Sequence, residues 1–394
     1  MLDRPSQKED LVFVVNSGSS SLKFGVYFRG AHDEEALLTG SANDIGHSNG
    51  KLKISSATGK PLLERDGGLE SQSKAFATIG DAIREHIHAD PVAVGHRIVH
   101  GGPHLIKHQL ITPQVLEELR AATHFAPLHI PQALSLIVSA QSLFPSAAQF
   151  ACFDDVFHQT MPEVASHLPL PQRYYDTGVR RYGFHGLSYE SLVHYLGDQL
   201  PERAIFAHLG NGASLCALRN RVSIDTSMGL TPAGGIPMST RSGDMDPGVL
   251  IHIIRTKQLG ADELEKLVNH ESGLFALSSG ENDVRALEER ARSGELRATL
   301  ALDVFIIAVR KMIGAYVALL GGVDLLTFTG GIGENSDYVR SSVTKGLEFL
   351  GLTAEKIKIV HAEEEKQIAR HCRVLIRTSH APDSTYPPDK KNST

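Results

Sequence analysis

Cysteine is scarce: Cys152, Cys216 and Cys372 are the only three in 394 residues, far apart and in apolar or mixed surroundings. That spacing indicates neither a disulfide framework nor a zinc site, and it fits a reducing cytoplasm. Positive charge is also short, with 39 Lys and Arg against 45 Asp and Glu and a formal net charge of -6. Without a basic run the chain does not read as a binder of nucleic acid or anionic membrane, so any anionic ligand must be held by a few placed cations. Long apolar runs are missing too. The segment from Met1 to Asp10 is polar and carries no secretion signal. The stretch Leu300 to Leu320 is broken by Asp303, Arg310 and Lys311, which makes it a core or subunit-contact helix and not a membrane span. The 20 histidines are scattered, as surface or satisfied core groups are.

What is present is enough apolar sequence, 41%, for more than one core. Two segments share one pattern, a short apolar strand, an Asn/Gly/Ser turn and a second apolar strand. They are Val14 to Phe24, around Asn16-Ser17-Gly18-Ser19-Ser20-Ser21, and Ala207 to Leu215, around Gly210-Asn211-Gly212. Small residues in such turns let N–H groups and hydroxyls converge on a phosphate. Around them, helical periodicity covers Ser73 to Ile87, a strand covers Val92 to Val99, and Thr112-Pro113 and Pro131 open helices. Asp225 to Gly248 is a long irregular segment rich in Gly, Pro, Ser and Thr, and long irregular segments are usually functional. The strand Val323 to Phe328 then feeds Gly330-Gly331-Ile332-Gly333 and a helix, which is a phosphate-receiving arrangement. Strands alternating with helices indicate an α/β fold, and the internal echo implies a duplicated one. The boundary is expected after Asp155, giving units 1–155 and 156–372.

Asn16, Ser19, Ser21 and Lys23 supply an amide, hydroxyls and an ammonium in one turn; they serve a phosphate or simply an ordinary hairpin. No Gly-Lys-Ser/Thr follows Gly212, which excludes a Walker-type loop. Arg97, near the end of an apolar strand, and Arg241, in a polar loop, are the cations suited to bidentate capture of carboxylate or phosphoryl oxygens. A solvated surface arginine is the alternative for Arg241. His185 lies between Gly183 and Gly186, close enough for a ligand or for a structural role. Asp154 is placed to hold magnesium, to orient an arginine, or to cap the next helix. His129 is a weaker candidate. Asp283 and Arg285 suit a nucleotide base or ribose, or form a surface ion pair.

Together these motifs resemble the acetate kinase family over nearly the whole chain. The resemblance rests on residues 16–23, Gly95-His96-Arg97-Ile98-Val99-His100-Gly101-Gly102, residues 157–162, Arg181-Tyr182-Gly183-Phe184-His185-Gly186, residues 208–214, residues 225–229, Thr240-Arg241-Ser242-Gly243-Asp244 and residues 331–336. It implies a duplicated actin-like ATPase (ribonuclease H-like) fold, two domains around a central cleft, with part of 373–394 joining the first domain. It also implies a cytoplasmic homodimer that transfers a phosphoryl group between ATP and acetate, giving ADP and acetyl phosphate with Mg²⁺ or Mn²⁺. On that resemblance Arg97, Arg241, His185 and Asp154 are catalytic, and Val99, Leu128, Phe184 and Pro232 enclose the acetate methyl. Lys23, His208, Leu209, Gly210, Asn211, Gly212, Asp283, Val284, Arg285, Gly331, Ile332, Gly333, Glu334 and Asn335 face ATP. Asn16, Ser19 and Ser21 face the phosphoryl group, with Asn16 and Asp154 at the metal.

The chain departs from the family at Ile130, Ala133, Asp155, Leu187-Ser188-Tyr189 and Ala233-Gly234. At Thr378 to Ser384 no counterpart of the family's metal-binding C-terminal glutamate is found, and a polar tail is expected in place of the final helix. Three outcomes follow: an active acetate kinase, a propionate or butyrate kinase, or a nucleotide-binding relative with impaired turnover.

Overall fold

The computed structural model describes residues 10–18, 21–67, 69–127 and 129–379. The predicted Ser19 and Leu128 lie outside them. Two sheets organise the chain. The first contains β1 (Val12–Ser17), β2 (Leu22–Arg29), β3 (Glu34–Asn43), β4 (Lys51–Ser56), β5 (Pro61–Asp66), β6 (Ala93–Ile98), β7 (Gln109–Leu110) and β8 (Ala148–Phe153), ordered β5-β4-β3-β2-β1-β6-β8-β7. The second contains β9 (Arg203–Leu209), β10 (Ala213–Arg219), β11 (Val222–Thr226), β12 (Leu325–Thr329) and β13 (Ile357–Ile359), ordered β11-β10-β9-β12-β13. In each, the first strand pairs antiparallel with the second and parallel with a later strand: β1 with β2 and β6, β9 with β10 and β12. The echo seen in the sequence is therefore a duplicated topology.

Local chemistry sets the helix ends. Thr112 Oγ1 accepts from Val115 N at 3.3 Å, and Pro113 follows at the first helical position, where its missing N–H costs nothing. The helix Leu296–Leu320 buries Leu302, Phe305, Val309, Ile313 and Tyr316 against the second sheet while Asp303 and Lys311 face outward. This is how a long apolar segment carries charges without penalty. Among the described residues no helix is long and apolar enough to cross a membrane.

The C-terminus corrects the sequence reading. Residues Glu364–Ser379 form a helix whose Ile368, Ala369 and Cys372 pack on Val12, Val14, Phe150 and Cys152 of the first sheet. Gly95 makes room, since a β-carbon there would lie 2.5 Å from Ile368 and 2.6 Å from Cys372. The return to the first sheet thus begins at Glu364, before residue 373, because the apolar stripe starts there. Thr378 belongs to this helix and not to a polar tail.

A clasp holds the helix in place. Glu190 accepts hydrogen bonds from His108 Nε2 at 3.2 Å and His371 Nε2 at 2.6 Å, while His108 Nδ1 takes the Phe153 backbone N–H at 3.0 Å. That last bond fixes the hydrogen on His108 Nε2, so the ring gives Glu190 a proton donor and offers no lone pair to a metal. Burial alone would raise the Glu190 carboxyl, but His371 and His108 outweigh it and bring it down to about 2. Its stabilising contribution is therefore complete above the unfolded value of about 4.3 and is lost as pH falls from there toward 2. Glu190→Gln is expected to cost on the order of 2 kcal/mol at pH 7 and to flatten the stability–pH slope below pH 4.5. Urea titrations at stepped pH check this; an unchanged slope would sink it.

Candidate active site

Both sheets open at one cleft, a cavity of about 850 Å³ lined from the two sides. From the first sheet come Asn16, Gly18, Ser21, Lys23, Arg97, Val99 and Asp154; from the second come His208, Gly210, Asn211, Gly212, Gly331 and Ile332. Phe184, His185, Pro232 and Arg241 lie at the same cavity, as do Asp283, Val284, Arg285, Glu334 and Asn335.

Asn16, at the end of β1, faces Lys23 across the hairpin. Its side-chain oxygen accepts from Arg97 Nη1 at 3.1 Å. Arg97 Nε donates to Asp154 Oδ2 at 2.9 Å, and Nη2 reaches the same oxygen. Burial works against the Arg97 charge, yet Asp154, Glu364 and Glu365 outweigh it and hold the guanidinium firmly protonated. Burial lifts the Asp154 carboxyl to about 6 even with Arg97 drawing it down, helped by Glu364 and Asp155.

Arg241 is a recessed cation with no partner carboxylate among the described residues. Among the described residues its guanidinium meets the Pro232 carbonyl at 3.3 Å and Met238 sulfur at 3.9 Å, and no carboxylate. Burial and the Arg97 charge both press on it, and burial followed by the Arg241 and Arg97 charges brings the His129 imidazole down to about 4. Asp154 is the only carboxylate that hydrogen-bonds to either arginine among the described residues.

His185 enters the cleft with a left-handed backbone, φ 61°, just before the helix Gly186–Leu196. Gly186 allows this: its N–H donates to the Asp154 carbonyl at 2.7 Å, and a β-carbon would lie 2.2 Å from that oxygen. A non-glycine residue in this conformation is strained, and such strain concentrates at functional sites. On the far side Gly330, φ 79°, lets the loop turn tightly over β9, where a β-carbon would meet the Leu209 carbonyl at 2.7 Å. Glu334 staples this loop, accepting from Gly330 N at 2.9 Å, Thr329 Oγ1 at 3.2 Å and His361 Nδ1 at 2.6 Å.

Two expectations change. Leu209 and Gly333 do not line the cleft: Leu209 points into the second core, and Gly333 is buried against β9. Asp283 lies at the cleft's edge and also caps the helix that follows it, accepting from Ala286 N at 3.0 Å. Most consequentially, the carboxylates sought beyond residue 378 arrive at the start of the last helix. Asn16 Nδ2 donates to Glu364 Oε2 at 3.1 Å and to Glu365 Oε1 at 2.7 Å. Sequence reasoning passed over both, although an acidic first turn before the stripe of Ile368 and Cys372 is a helix-start signal.

These oxygens fit a hard divalent cation. Asp154 Oδ1 is buried with no hydrogen-bond partner, an orphaned acceptor at the cleft. Asp154, Glu364 and Glu365 do not bring their ligand atoms within 4.8 Å of one another, as a closed protein cage would. Mg²⁺ suits that openness, since it keeps waters and shares its sphere with substrate phosphates.

Comparison with known proteins agrees with the geometry. The model of the acetokinase family matches residues 11–380. The chain is 40% identical over 385 residues to the acetate kinase of Desulforamulus reducens, covering 94% of each. It is similar to the crystal structure of Porphyromonas gingivalis acetate kinase, with TM-score 0.81, 34% identity and coverage of 93% of this chain and 100% of the other. It is also similar to that of a propionate kinase from Francisella tularensis, with TM-score 0.84, 33% identity and coverage of 92% and 99%.

Proposed function

Because the chain belongs to the acetokinase family, whose members are ATP-dependent phosphotransferases, we propose that it moves the γ-phosphoryl group of ATP onto acetate. The observation that carries this reading is a single cleft that gathers Arg97, Arg241 and the apolar Val99, Phe184 and Pro232 with the glycine turns of the second sheet.

A carboxylic acid is ionised at neutral pH, so the acceptor needs positioning and no general base. Arg241, lacking a protein anion, takes the carboxylate and the transferring phosphoryl oxygens. Arg97, aimed by Asp154 and Asn16, neutralises the opposite side. An acetate oxygen attacks the γ-phosphorus in line as the bond to the β,γ-bridging oxygen breaks, and ADP leaves with that electron pair. His185 donates a hydrogen bond to the equatorial oxygens as their charge reorganises. Asn211, Gly212 and Gly331 contribute small turns through which the ATP phosphates approach backbone N–H groups. Asp154 and Glu364, with Asn16 and Glu365 beside them, would hold Mg²⁺, which supplies charge neutralisation on the phosphates.

Propionate is the second reading, favoured by the similarity to the propionate kinase structure. Trapping the acyl phosphate with hydroxylamine, in the presence of ATP and Mg²⁺, tests both. We expect kcat/KM to fall about tenfold or more from acetate to propionate and again to butyrate, since on this reading Val99, Phe184 and Pro232 of the cleft surround the acyl group. A maximum at propionate would reverse the preference, and no acyl phosphate from any of the three would refute the function. Impaired turnover is the reading that a missing C-terminal glutamate would favour; Glu364 and Glu365, both hydrogen-bonded to Asn16, support the active enzyme instead.

A further inference from the structure

His185 Nδ1 lies 2.9 Å from Ser214 Oγ, and Ser214 Oγ lies 2.6 Å from the Tyr189 hydroxyl. Ser214 and Tyr189 are fully buried. If Tyr189 donates to Ser214 and Ser214 donates to Nδ1, every hydroxyl hydrogen has an acceptor. If Nδ1 carries the ring hydrogen instead, one hydroxyl hydrogen is stranded in the core, which is costly. The first arrangement leaves Nε2 as the N–H. His208 repeats the device: its Nδ1 lies 2.8 Å from Ser188 Oγ, also fully buried, and a hydroxyl donating there puts the hydrogen on Nε2.

The two rings stack with centroids 4.2 Å apart. Their Nε2 atoms face surfaces kept open by glycine. A β-carbon at Gly212 would lie 3.2 Å from His185 Nε2 and 3.4 Å from Arg241 Nη1, and one at Gly330 would lie 3.1 Å from His208 Nε2. We infer that Tyr189, Ser214 and Ser188 are positioning residues that lock His185 and His208 as Nε2–H tautomers, so that the stacked pair offers two N–H donors to the substrate phosphates. The identity of the acceptor rests on the proposed function; the tautomers do not.

Supporting this, burial and then the neighbouring His208, Arg97 and Arg241 push His185 well below the ordinary imidazole range, and burial lowers His208. Burial raises the Tyr189 phenol, which keeps it a donor.

The test is long-range proton–nitrogen NMR on full-length protein labelled with ¹⁵N-histidine, the two rings assigned by their loss in His185→Gln and His208→Gln. Hydrogen on Nε2 and a bare Nδ1 are expected in both. Ser214→Ala should let His185 populate the other tautomer and lower kcat roughly 10–100-fold with KM little changed, and Ser214→Thr should restore both. Tyr189→Phe should move both readouts the same way by less. Hydrogen on Nδ1 in the unaltered protein, or a Ser214→Ala spectrum identical to it, would overturn the inference. A protein without phosphotransferase activity but with both Nε2–H signals would remove the functional reading alone.

Discussion

Arg241→Ala is expected to lower kcat by about three orders of magnitude or more while leaving the fold intact, since an arginine on a transferring phosphoryl group is worth roughly 10³–10⁵. The two halves of that expectation have separate grounds. Arg241 supports little structure, because its guanidinium meets only the Pro232 carbonyl and the Met238 sulfur among the described residues. Removing it relieves repulsion from Arg97 and strands no protein anion. What it takes away is the free cation that an incoming carboxylate and phosphoryl group need. Arg97→Ala would be a poorer experiment. It leaves Asp154 and Glu364 without their counter-charge, and breaking a buried pair from one side costs roughly 3–5 kcal/mol in stability. Arg241→Lys separates charge from geometry: it keeps the cation, loses the planar fork, and should recover part of the rate. Steady-state kinetics beside thermal melts decide the matter. A fall of less than tenfold, with the melt unchanged, would remove Arg241 from the chemistry.

Local signals in the sequence were read correctly where the physics is local. The paired strands that carry Asn16 and Lys23, the cap at Thr112, the pre-organised Pro113 and the strand feeding Gly330 are each determined by a few neighbouring residues, and each appears where expected. The irregular stretch from Asp225 onward likewise carries Pro232 and Arg241 into the cleft. Sharing a motif was not enough to share its surface: Leu209 and Gly333 stand among cleft residues in sequence, but strand alternation and helix packing turn them inward. The carboxylates opposite Asn16 illustrate a different limit. Glu364 sits 348 residues from Asn16, so their contact follows from where Ile368 and Cys372 seat the last helix on the first sheet. A search along the chain for an isolated acidic motif could not show that. The hydroxyls behind His185 and His208 are invisible in the same way, since Ser188 and Tyr189 come from one helix while Ser214 comes from β10.

Glu364→Gln is expected to raise the Mg²⁺ concentration for half-maximal activity by about tenfold or more, and to lower kcat at saturating Mg²⁺ by about 10–100-fold, losses typical when one metal-site group or charge-stabilising contact is removed. The substitution is nearly isosteric and keeps an oxygen for the Asn16 amide, so the hydrogen bond at 3.1 Å can persist while the charge goes. Burial alone would raise the Glu364 carboxyl, but Arg97, His208, Lys23 and the Asn16 amide outweigh it and hold it below its ordinary value. Glu364 lines the same cleft as Asn16 and the orphaned Asp154 Oδ1. A divalent ion brought in with nucleotide phosphates would lose one of its anchoring charges in the variant, and extra Mg²⁺ should recover part of the rate by mass action. Glu365→Gln makes the comparison sharper. Its carboxylate also accepts from Asn16, at 2.7 Å, so a purely structural role for this pair predicts similar losses in both variants and no shift in Mg²⁺ dependence. A metal role predicts that the Mg²⁺ titration moves most for the residue that faces the ion. If neither titration moves, the cleft holds its cation without the last helix, and the two glutamates serve only to fix Asn16 against Arg97.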